Sequence, residues 1–122
     1  MLKKSFNKYS TGDAAIREAL KKELARKHAS DRELRIIEEF GVRHGVARID
    51  IAVVNGVLHG YEIKSDLDTL ERLPEQMHEY NSVFYQVTLV VGKKHIYHAI
   101  NVVPEWWGIT IAKVNTDNSV VF

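Results

Sequence analysis

Two apolar, alternating runs, residues 47 to 54 (Ala-Arg-Ile-Asp-Ile-Ala-Val-Val) and 57 to 65, flank Asn55-Gly56. Asn-Gly between such runs is the strongest short-range sign of an antiparallel hairpin, and no other feature here restricts the fold as much. Strand side chains alternate with period two, so Ile49, Ile51 and Val53 share one face and Asp50, Ala52 and Val54 the other. In the next strand Tyr61 and Ile63 oppose Gly60, Glu62 and Lys64. For both oily faces to join one core, the connection must have odd length. A three-residue turn with Gly56 in the left-handed region provides it, as does a bulge. Asp50, Glu62 and Lys64 then share the opposite face, where Ala52 and Gly60, the smallest neighbours, leave open space beside the carboxylates.

The rest of the chain frames this hairpin. From Thr11 or Asp13, both good N-caps, to about His28, Ile16, Leu20 and Leu24 recur at helical spacing in an Ala/Leu/Lys/Glu/Arg-rich segment. Residues 35 to 41 read as a strand turning at His44-Gly45. A second helix is predicted from about Asp68 to Asn81, striped by Leu70, Leu73, Met77 and Tyr80, with a kink or restart at Pro74. Gln86 to Gly92 looks buried on both faces, the mark of a central parallel strand. Residues 94 to 103 fit a helix ended by Pro104, and Ile109 to Lys113 a last strand, with a loose tail from Asn115. The order α-β-β-β-α-β-α-β gives an α/β fold with a central mixed sheet in a single domain over residues 1–122.

Composition narrows the class. At 122 residues the chain is long enough to bury a core unaided, and with no cysteine it is neither a disulfide scaffold nor a thiolate zinc site. Neither a secretory signal nor a membrane span is legible, which places the chain in the cytoplasm with no membrane partner. Charge is uneven: residues 1–48 hold twelve Lys/Arg against seven Asp/Glu, and residues 49–122 five against nine. A basic arm beside an acidic cluster suits a site that holds a cation and meets a polyanion, but on charge alone ordinary surface charge is the favoured reading.

Asp50, Glu62 and Lys64 make chemical sense together. Mg²⁺ takes oxygen ligands and keeps several waters, so one or two carboxylates and substrate phosphate oxygens suffice. Such a metal lowers the pKa of a bound water, while a lysine positions that water or offsets phosphoryl charge. The competing reading is a surface salt-bridge ladder. Against it, charge in a central hairpin is costly unless paired or bound to metal.

Asp50, then Glu62-Ile63-Lys64, resembles the D…(D/E)xK signature of the PD-(D/E)xK nuclease superfamily, and the element order resembles its restriction-endonuclease-like αβββαβ core with an added α-β. Gln76 to Tyr80 is similar to the Q-x-x-x-Y motif of the RecB-like branch. Residues 60 to 73 and Pro104-Glu105-Trp106-Trp107-Gly108 resemble small stand-alone bacterial and phage members. The resemblance implies a Mg²⁺-dependent deoxyribonuclease, with Mn²⁺ as substitute and no organic cofactor. It makes Asp50 and Glu62 metal ligands, Lys64 the catalytic lysine, and Gln76 and Tyr80 active-site supports, with Arg72 in line if the helix runs through Pro74. A further carboxylate is assigned to Glu39, over Glu38 beside it and Glu23 on the helix. Glu18 faces solvent.

His95-x-x-His98 has no third ligand nearby and reads as two surface histidines. Trp106-Trp107 reads as core or an interface anchor. The alternative function is a non-catalytic or partner-dependent nucleic-acid-binding module with the same fold. RNA is the third reading for the substrate, and a homodimer would supply the recognition surface that 122 residues leave little room for.

Overall fold

The computed structural model describes residues 12–122, so the cap expected at Thr11 and the lysine-rich stretch Met1 to Tyr9 lie outside the described residues. The first element, α1 (Asp13–Lys27), has Asp13 in its first turn and Arg26 and Lys27 in its last, which suits the helix dipole. Its stripe of Ile16, Leu20 and Leu24 is buried against Ile51, Val53, Tyr61 and Ile63 of the sheet. Burying each such aliphatic side chain contributes about 2 kcal/mol, which fixes the helix across the hairpin.

Strands β1 (Arg35–Val42), β2 (Ala47–Val54) and β3 (Leu58–Lys64) form an antiparallel meander. The β2 to β3 connection has the odd length that parity demands. Val54 pairs with Leu58 across three residues, and Gly56 sits at φ 98°, the left-handed region glycine tolerates best. Helix α2 (Leu73–Asn81) leads to β4 (Gln86–Gly92), and a short 3₁₀ turn (Lys93–His95) and α3 (Ile96–Val102) lead to β5 (Gly108–Val114). Both crossovers join parallel neighbours, β3 to β4 and β4 to β5, in the same sense across the sheet. They therefore lay α2 and α3 on the face opposite α1, over a core of Leu73, Tyr80, Phe84, Val87, Leu89 and Ala99. Among the described residues the result is an α/β arrangement of three helices on a six-stranded mixed sheet in the order β1-β2-β3-β4-β5-β6.

Four expectations are corrected. Ile49 does not share a face with Ile51: it lies with Ala52 on the α2 side, while Ile51 and Val53 lie on the α1 side. The alternation breaks where Glu39, opposite Asp50, takes φ 51° and where the Asp50 carboxylate accepts the Ile63 N–H at 2.7 Å beyond the last backbone-paired rung. Secondly, no open space lies beside Gly60, because a side chain there would strike Ile49 Cδ1 and the Phe84 ring. Thirdly, α2 starts at Leu73 rather than Asp68. Pro74 occupies its first turn, where a missing N–H costs nothing, and Asp68 instead binds the Ser65 N–H and Oγ in the preceding turn. Lastly, the tail is ordered: Asn115 and Ser119 close a turn into β6 (Val120–Val121), antiparallel to β5.

Candidate functional site

Strands β2 and β3 carry Asp50 and Glu62, each one residue past the last paired rung Ile51–Tyr61, and one polar cavity of about 420 Å³ is lined by both, with Lys64, Gln76, Arg48 and Arg72. A larger hollow of about 610 Å³, between α1 and the C-terminal hairpin, contains none of these residues. Glu62 is 4% exposed and Lys64 8%, so both charges sit inside the protein. Tyr80 Oη stands 3.0 Å from Glu62 Oε1, Gln76 donates Nε2–H to Oε2 at 3.2 Å, and the Lys64 ammonium stands 3.6 Å from Oε2. Burial, with the Asp50 charge added, pushes the Glu62 carboxyl up to about 8, against the pull of Lys64 and Tyr80. Protonated Glu62 has a ready acceptor, because Gln76 Oε1 is buried without a partner and an amide flip brings it round.

Asp50 is held differently. Burial, with the Asp13 and Glu39 charges added, raises it to about 6 against the pull of the Ile63 N–H and Arg17. Arg17, on the flank of the α1 stripe, stands 2.8 Å from Asp50, 2.8 Å from Glu39, 3.3 Å from Asp13 and 3.7 Å from Glu38. Burial disfavours its charge, but Glu39, Asp50 and Asp13 together raise its pKa. Sequence reasoning missed Arg17. Its signal was its position beside Ile16, four residues after Asp13 on the same helix, with acids on the strands that helix covers.

Of the predicted residues, Asp50, Glu62, Lys64, Gln76 and Tyr80 come together. Tyr80 is also core: it is fully buried, stacks on Trp107, and gives its hydroxyl to the Arg48 carbonyl at 2.7 Å. Glu39 reaches Asp50 only through Arg17, Glu38 binds Lys21 at 2.8 Å, and Glu23 pairs with Arg26 away from the cavity. Arg72 precedes the first residue of α2 and stays on the cavity wall. His95 is not a surface residue: it is buried, with Nε2 on the Asp68 carbonyl at 2.8 Å, whereas His98 is exposed. Trp107 is core and donates to Asn81 at 2.8 Å, while Trp106 is partly exposed.

The donor set does not fit the expected Mg²⁺. Asp50 Oδ1 is taken by Arg17 and Oδ2 by the Ile63 N–H, and both Glu62 oxygens have partners. Among the described residues no three His, Cys, Asp or Glu side chains are grouped to hold a metal ion.

These features define a mixed-sheet α/β domain with a buried, internally paired carboxylate pair. Residues 8–122 match the family described as Bacteriophage P4 protein cII, and the chain belongs to that family. It is 44% identical over 59 residues to "Protein cII" of Enterobacteria phage P4, a match covering 48% of this chain and 22% of the relative. The chain thus spans less than a quarter of that relative's length. No solved structure matches it. Family membership corrects the resemblance: the chain is not assigned to the PD-(D/E)xK nucleases, and the readings as nuclease, hydrolase and Mg²⁺-dependent deoxyribonuclease fall with it. The physical reason is that two adjacent strands of one hairpin suffice to bring an Asp and a Glu-x-Lys to one cavity, and here the carboxylate oxygens are met by Arg17, the Ile63 N–H, Tyr80 and Gln76. No helix among the described residues is long and apolar enough to cross a membrane.

Proposed function

We propose that this chain is a non-catalytic nucleic-acid-binding module that keeps a restriction-endonuclease-like αβββαβ element order, binds DNA without cutting it, and acts by occupancy. The observation that carries this reading is the rim of the cavity. Arg48 and Arg72 are exposed on it, and among the described residues neither makes an ion pair. Beside them the β1–β2 turn presents Arg43, His44 and Val46, all exposed, with Arg43, His44 and Gly45 in the left-handed region. An Arg43–Glu79 pair at 2.9 Å ties this turn to α2.

Exposed, unpaired arginines flanking one opening suit phosphate oxygens, which a guanidinium meets with two parallel hydrogen bonds. The acidic floor disfavours a phosphate deep inside, so the backbone lies across the mouth. Fluorescence anisotropy of a labelled duplex at several NaCl concentrations tests this. Arg48→Ala and Arg72→Ala each weaken binding and reduce the log–log salt slope by about 1 if each meets one phosphate. Equal affinity and slope in wild type and both variants would refute the assigned surface. A single-stranded RNA competitor that displaces the duplex at lower concentration would move the partner from DNA to RNA.

A further inference from the structure

The two edges of the sheet are finished differently. Among the described residues β1 is the outer strand on one side, and it carries the exposed charges of Arg35, Glu38 and Glu39, with Glu39 at φ 51° interrupting its extended backbone. Charges and a left-handed break keep an outer strand from pairing with another chain. On the other side β6 covers β5 only at Lys113 and Val114, so among the described residues Gly108 to Ala112 pair with β4 alone. That stretch lacks the same protection: Trp106-Trp107-Gly108-Ile109-Thr110-Ile111-Ala112 holds no charge and no proline, and Ile111 is 39% exposed.

Asn115 donates its N–H to the Ser119 carbonyl at 2.8 Å, which turns Asn115, and by the alternation of an antiparallel ladder Lys113, toward β6. The same alternation directs the N–H and C=O of Ile109 and Ile111 to the open side, whereas those of Thr110 and Ala112 belong to the β4 ladder. These open donors and acceptors, on β-branched residues, are a template for one more extended strand. Helix α3 leads into this stretch, and in a right-handed β4–α3–β5 crossover the flank of α3 bearing Tyr97 and Ile100 turns toward β5. Tyr97 is 81% exposed, Ile100 55%, and Trp106, just before the strand, 41%.

We infer that this stretch of β5 is a self-pairing edge, to which a second copy of the chain adds its own β5, antiparallel, about a two-fold axis through Thr110. Ile109 then lies opposite Ile111 of the second copy, and each of these residues gives its N–H to the carbonyl across from it, while the two Thr110 side chains meet at the pair between them. Charge complementarity selects this occupant, because an uncharged edge offers a charged strand no counter-ion and meets no repulsion from its own copy. With Tyr97, Ile100, Trp106 and Ile111 the apolar area is on the order of 400 Å² per copy, roughly half of a standard interface, so the dimer is reversible and forms with rising concentration. Self-pairing is independent of DNA binding and is tested without nucleic acid.

Sedimentation equilibrium from about 5 to 500 µM reads the association, and thermal unfolding at the lowest concentration reads the fold. Wild-type protein rises toward twice the chain mass across the series. Ile111→Pro removes an outward N–H that the β4 ladder does not use, so it holds the single-chain mass throughout, with a Tm close to wild type. Ile111→Lys keeps the backbone and sets two ammonium groups diagonally across the two-fold, weakening the dimer ~10-fold or more. A wild type at single-chain mass at every concentration would overturn the inference and leave the edge to a strand of another protein, and a dimer that both variants keep would overturn it as well. If Ile111→Pro does not fold, Ile111→Lys still decides: unchanged association contradicts the edge, and a weakened dimer supports it.

Discussion

Replacing Glu62 by Gln isolates the charge most deeply buried in the site. Glu62 is 4% exposed, and its carboxyl is pushed up to about 8 from an ordinary 4.5. A carboxyl that binds its proton more tightly in the folded chain contributes stability that is complete below pH 4.5 and is lost as pH rises through about 8. Raising a carboxyl from 4.5 to about 8 corresponds to at most about 5 kcal/mol, and solvent or Lys64 relaxing toward the ionised form lowers this, so a loss on the order of 3 kcal/mol between pH 5 and pH 9 is the working figure. For a domain this size that is a fall in Tm on the order of 10 °C. The Glu62→Gln variant stays neutral throughout, keeps an acceptor for the Tyr80 hydroxyl, and gives its amide N–H to Gln76 Oε1 once that amide turns. Thermal unfolding by circular dichroism from pH 5 to 9 should show wild type declining through pH 8, with the variant declining only through about pH 6, where Asp50 titrates, and more stable than wild type above pH 8. The upward shift of Asp50, to about 6, remains in both proteins and cancels in the comparison. An equal slope in the variant, or a wild type more stable at pH 9 than at pH 6, would refute the buried-carboxyl reasoning.

Tyr80→Phe removes the single hydroxyl that lies between Glu62 and the Arg48 carbonyl, leaves both buried without it, and should cost about 2 to 4 kcal/mol in urea unfolding; no change would mean that water replaces the hydroxyl. Gly60→Ala adds a methyl against Ile49 Cδ1 and the Phe84 ring and should cost about 1–3 kcal/mol, with Ile49→Val in the same chain restoring part of it. Full stability in Gly60→Ala alone would contradict the packing that Ile49 adopts on the α2 side.

Much of the fold was legible because it rests on local rules. The stripe Ile16, Leu20, Leu24 specifies α1, Asn55-Gly56 with the parity of the flanking runs specifies an odd turn, and the run Val87 to Val91, apolar but for Thr88, specifies the central strand. What failed depended on partners distant in sequence. Period two puts Ile49 beside Ile51, but the left-handed Glu39 on the neighbouring strand and the Asp50–Ile63 hydrogen bond part them. His95 looked superficial because nothing nearby shows that the Asp68 carbonyl, on another turn, waits for it. That Asp50 and Glu62 line one cavity was legible from the hairpin, whereas the neutralisation of Asp50 was not, because Arg17 comes from a helix 33 residues away from it. A motif of three residues also says little about lineage: Asp50, Glu62 and Lys64 suit several chemistries, and only the match over residues 8–122 assigns the family.

The most direct test incubates the protein with a labelled duplex in Mg²⁺ and follows both partners on one gel series, native for binding and denaturing for strand integrity. A binding module retards the duplex, releases it as NaCl rises, and returns every strand at full length. Shortened strands that disappear in Asp50→Ala, or no retardation even at low salt, would contradict a domain that binds DNA without cutting it.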